Sequence, residues 1–127
     1  LYSLAVGCTD NLGRFESSPE RLATAVPELY ALPVLSDRVV LNISDALVCQ
    51  YEGEDQGLLH YSTAQNEIRL SRDPVALDVL SIRDLAAQRE LAGFPAAETN
   101  WYNLYQNAAL LELGVSDVKK IQIQAVK

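Results

Sequence analysis

The sequence predicts an α/β domain in which helices pack on a mostly parallel or mixed sheet. Three observations lead there. Residues 38–44 (RVVLNIS) are a β-branched, apolar run. Residues 73–92 carry a capped helical pattern. Residues 119–127 (KKIQIQAVK) alternate at the period of a strand. Helical and strand patterns therefore alternate along 127 residues, the length of one domain. Hydrophobic residues make up 49% and charged residues 21%, a globular composition.

Each element has its own local cause. Residues 7–17 (GCTDNLGRFES) are rich in turn formers and predict a loop. Ser18 then offers a helix N-cap, with Pro19 at the first helical position and Glu20 where the helix dipole favours a negative charge. Leu22, Val26 and Leu29 mark the apolar face, and Pro27 should end or kink the helix near Val26. In the first strand Val39, Leu41 and Ile43 share one face, with Val40 and Asn42 on the other. The run can continue through Ala46–Cys49. Apolar residues on both faces predict an interior strand covered on both sides.

Residues 52–57 (EGEDQG) form an acidic loop, 58–66 leave room for a short strand, and 67–71 (EIRLS) predict another. The helix over 74–92 has the clearest recipe, with Asp73 as N-cap, Pro74 first, Gly93 as C-cap and Pro95 beyond. A further helix over about 100–113 is capped by Thr99 or Asn100 and ended by Gly114, with Trp101, Leu104, Ala108 and Leu111 inward. In the last strand Ile121, Ile123 and Ala125 face one way and Gln122 and Gln124 the other, and its lysines suit a sheet edge. Three or four strands make a small sheet. The chain begins at Leu1 and holds no methionine, so the expectation is a fragment of a larger domain that lacks amino-terminal strands.

Ten basic against seventeen acidic side chains give a net charge of -7, which repels a phosphate backbone and argues against a nucleic-acid partner. No apolar run approaches the ~18 residues of a membrane span, so no membrane insertion is expected. Cys8 and Cys49, without a C-x-x-C and with His60 as the sole histidine, exclude a cysteine-ligated cluster within these residues. Two buried thiols are the expectation, and the compartment is left open, cytoplasmic or exported.

The candidate chemistry rests on Asp45, Asp73, Asp78 and His60. Asp45 and Asp73 each follow a predicted strand, and in open α/β sheets ligands bind beyond the strands' carboxyl ends. If the two strands run parallel, both acids share one rim and become candidate ligands for Mg²⁺ or Ca²⁺, or an acid–base pair. Asp78 lies about one turn along the helix and can join them. His60 is the only side chain that titrates near neutrality unperturbed. Against these stand plainer roles: Asp73 as a helix cap, Asp78 on a solvent face, His60 as a structural histidine. Asp45 needs a partner if buried. Trp101, Tyr102 and Tyr105 suit the core and its rim. The glycosylation triplet Asn42-Ile43-Ser44 falls in a predicted interior strand, where a glycan has no room.

Leu41-Asn42-Ile43-Ser44-Asp45-Ala46-Leu47, Tyr51-Glu52-Gly53 and Ser71-Arg72-Asp73-Pro74-Val75-Ala76-Leu77-Asp78 resemble the signature of the Domain of Unknown Function 362 family. The ending, with Asn107-Ala108-Ala109, Leu113-Gly114, Asp117 and Lys120-Ile121, is similar to that family's close. The resemblance covers most of the chain and corresponds to the carboxy-terminal part of the family's domain. It implies an iron–sulfur-associated redox setting, since many relatives carry ferredoxin-like cysteine clusters. The chain departs from the pattern after Gly53, where Glu54-Asp55-Gln56 replaces Gly-Pro. Three readings follow: a ligand- or metal-binding domain of a redox protein; a non-catalytic structural or interaction domain that pairs with the remainder of its own domain or with itself; and a carboxylate-dependent hydrolase.

Overall fold

The computed structural model describes residues 1–10, 13, 18–53, 56–95 and 101–126. Its elements are α1 (Tyr2–Gly7), α2 (Pro19–Tyr30), α3 (Pro33–Ser36), β1 (Asn42–Gln50), β2 (Ser62–Ser71), α4 (Pro74–Leu91) and α5 (Trp101–Leu110). Short 3-10 turns occupy Leu59–Tyr61 and Val118–Lys120. The predicted parallel or mixed sheet is overturned: among the described residues the sheet has two strands, β1 and β2, and they are antiparallel. A hairpin connection explains why. Tyr51 N–H donates to Tyr61 C=O at 2.9 Å, closing the loop between strands that a parallel pair would have needed a crossover to join.

The hairpin pairs Asn42 with Ser71, Ile43 with Leu70, Ser44 with Arg69, Asp45 with Ile68 and Ala46 with Glu67. Between Ala46 and Val48 the register slips, because Gln65 and Asn66 together face Leu47. Asn66 sits at φ 57, a left-handed conformation asparagine tolerates, and so forms the bulge.

The core lies among the helices. Ala5 of α1, Ala23, Val26 and Tyr30 of α2, Val75 and Val79 of α4, and Leu104, Tyr105 and Ala108 of α5 form one buried cluster. The caps of α4 follow the sequence. Asp73 Oδ1 accepts from Ala76 N–H at 2.8 Å, and Gly93, at φ +79, lets Phe94 N–H reach Arg89 C=O at 2.9 Å.

Four further expectations are corrected. Helix α2 does not end near Val26 but runs through Pro27 to Tyr30. Pro27 has no N–H, which orphans the carbonyl of Ala23, and Asn107 Nδ2 on α5 donates to that carbonyl at 2.9 Å. Gly114 does not end α5. The left-handed position is Glu112, at φ 59, with Leu113 N–H donating to Ala108 C=O at 3.0 Å. The strand expected over 119–127 does not form among the described residues: Val118–Lys120 is a 3-10 turn and 121–126 carry no strand pairing. The thiols are not both buried, since Cys8 is exposed and Cys49 half-buried. The proposed caps Thr99 and Asn100, and most of the predicted 7–17 loop beyond Asp10, lie outside the described residues.

Candidate functional site

Asp45 is exposed on the outer face of β1. Its Oδ1 accepts from Leu47 N–H at 2.9 Å, so the carboxylate bends the chain into the bulge. Asp73 holds two segments at once: Oδ1 caps α4, while Oδ2 accepts from Val115 N–H at 2.8 Å. A Cβ on Gly114 would collide with the Asp73 carboxylate and with Val75, which is the reason for glycine there. Asp78 Oδ2 lies 3.0 Å from the backbone nitrogen of Leu1 and accepts from the Tyr105 hydroxyl at 3.4 Å. Burial, and then the nearby Asp78 charge, raise the Tyr105 hydroxyl pKa well above its usual range. Burial also raises Tyr30, against a hydrogen bond from Asn42.

The shared rim expected for Asp45 and Asp73 required parallel strands, and that premise fails with the antiparallel pairing. Asp73 follows the end of β2 that pairs with Asn42, whereas Asp45 stands further along β1 opposite Ile68. Among the described residues no group of three His, Cys, Asp or Glu side chains is placed to hold a metal ion. His60 is exposed on the hairpin loop, its ring centroid 4.1 Å from that of Tyr61. Asn42 Nδ2 donates to Ser71 C=O at 3.3 Å, so the side chain of the glycosylation triplet is engaged within the hairpin. Tyr105 is core and Tyr102 is exposed rim.

Several organising side chains carry no local sequence signal. Arg89 donates to Tyr51 C=O at 2.6 Å and to Glu52 Oε2 at 2.7 Å, and its guanidinium lies 5.8 Å from the centre of the Phe94 ring. Phe94 meets Tyr61 edge-on at 5.7 Å and Tyr51 at 6.1 Å. This cluster ties the hairpin loop to the end of α4. Arg69 reaches Asp84 of α4 at 2.7 Å and so ties the hairpin's middle. Burial, with Asp84 adding and Arg69 opposing, raises the Cys49 thiol above its usual pKa.

The remaining feature is a surface. Because paired residues share a face, Ser44 and Arg69 turn toward α4 while Ile43, Leu70 and Ile68 turn outward. Ile43 is 67% exposed, Ile68 64%, Leu70 62% and Val48 58%. The hairpin's most apolar face thus looks away from the core. Compared with known proteins, the chain matches no family model, no curated protein and no solved structure. Among the described residues no helix is long and apolar enough to cross a membrane.

Proposed function

We propose that this chain is a non-catalytic interaction domain that docks a polypeptide on the outer face of its hairpin. One observation carries the reading: Ile43, Ile68 and Leu70 are exposed on the side of the hairpin away from α4, with Val48 exposed further along β1, while Ser44 and Arg69 face the helices. Re-burying these four side chains is worth on the order of 5 kcal/mol at about 25 cal/mol per Å². Large exposed apolar side chains gathered on one side of a sheet mark interaction surfaces. Asp73 and Asp78 support the same reading, since their oxygens accept hydrogen bonds that join helices and loops. A net charge of -7 favours a protein partner over nucleic acid.

The test uses the neutral dye Nile red, which brightens on apolar surfaces. The native protein should bind it, and the double variant Ile43→Lys/Val48→Lys should bind at least three-fold less with its thermal midpoint unchanged. Undiminished dye binding, or a strongly destabilised variant, overturns the proposal.

A further inference from the structure

A groove of about 1020 Å³ runs along the side of β2. One wall is β2 itself, from Gln65 to Ser71; the opposite wall is the segment 121–126; the floor is α4, including Leu77 and Leu80. β2 is hydrogen-bonded along one side only, to β1, so among the described residues its other edge offers an unused ladder. The facing wall is extended where it begins, with Ile121 at φ -79 and ψ 126. A strand on one side, a wall that begins extended on the other, and Leu77 and Leu80 beneath define a slot that suits an extended segment.

We propose that this slot receives one uncharged, extended segment of a partner polypeptide, which pairs with the outer edge of β2 and points alternate apolar side chains at α4. The charge pattern selects the occupant. Four charged side chains line the groove, Glu67, Arg69, Arg83 and Asp84, and they cancel. Arg69 bridges Glu67 at 2.8 Å and Asp84 at 2.7 Å, and Arg83 meets Asp84 at 2.9 Å. The slot is therefore neutral on a protein of charge -7. A charged strand finds no unpaired counter-ion there, whereas an uncharged one brings no charge to desolvate. This inference adds to the interaction reading a second surface, separate from the outer face, with its own mode of binding: backbone pairing for affinity, with α4 reading every second side chain.

The experiment titrates the protein with a blocked hexapeptide of alternating valine and threonine, followed by backbone amide exchange. Saturable binding that protects edge-facing amides of β2 between Gln65 and Ser71 is expected. A twin peptide N-methylated at alternate residues should bind at least ten-fold more weakly, and so should Leu80→Glu with the parent peptide. Ile43→Lys/Val48→Lys should leave peptide binding intact. No saturable binding, or equal binding of the N-methylated twin, overturns the proposal. So does free protein in which those amides are already protected, through pairing with 121–126 or through a second copy seen as a concentration-dependent dimer. Loss of peptide binding in Ile43→Lys/Val48→Lys, with Leu80→Glu unaffected, overturns the slot and leaves the outer-face reading standing.

Discussion

The helical layer and the hairpin are held by different forces. Val26, Val75, Leu104 and Ala108 interlock in the helical layer, where Leu104 is 1% exposed. No described residue between Asn42 and Ser71 belongs to the buried core. The hairpin is held instead by its ladder, by Arg69 on Asp84, by Arg89 gripping Tyr51 and Glu52, and by Phe94 against Tyr51 and Tyr61. Apolar burial therefore sets the stability of one region, while polar ties and one aromatic cluster fix the position of the other and leave its apolar side chains exposed.

This contrast can be broken first at the core. Leu104→Ala should cost about 2–5 kcal/mol in urea unfolding, because the site is closed on all sides; a loss near zero would erase the difference between the regions. Next, Gly114→Ala should cost about 1–3 kcal/mol by pushing on the Asp73 cap and Val75. That loss should shrink when Asp73→Ala is already present, and purely additive losses would show that Gly114 and Asp73 do not communicate.

Alkaline titration probes the buried tyrosines. Tyr105 and Tyr30 have folded pKa values above the unfolded ~10, so the proton-bound fold is favoured and stability holds below about pH 10. It should then fall, by up to about 1.4 kcal/mol per pH unit for Tyr105, until the folded pKa is passed, with Tyr30 adding in the same direction. Tyr105→Phe should flatten this slope.

Asn107→Ala should cost about 1 kcal/mol, because it strands the Ala23 carbonyl under Pro27. In a Pro27→Ala background the helix supplies its own N–H, and the same change should cost less than half as much. At the small end, the outer-face variant Ile43→Lys/Val48→Lys should alter stability by less than about 0.5 kcal/mol, as exposed positions do.

Local chemistry was legible in the residues. The caps of α4 by Asp73 and Gly93 and the start of α2 at Ser18 and Pro19 follow from side chains a few positions apart; the strand expected from Arg38 begins only at Asn42 and runs on to Gln50. The candidate acids were legible only as residue types. The helix-capping reading of Asp73 was visible, but its second bond, to Val115, links positions far apart in sequence. Gly114 has a glycine's usual place near a helix end, and its actual reason is the carboxylate beside it.

By itself, the sequence determined where helices α2 and α4 begin and how α4 ends, because capping and backbone preference act within one or two turns. Only the tertiary structure decided the rest. It let α2 pass Pro27, by bringing Asn107 to the stranded carbonyl. It turned two predicted sheet strands into an antiparallel hairpin with its apolar face outward, because hydrophobic periodicity marks a face without saying which neighbour covers it.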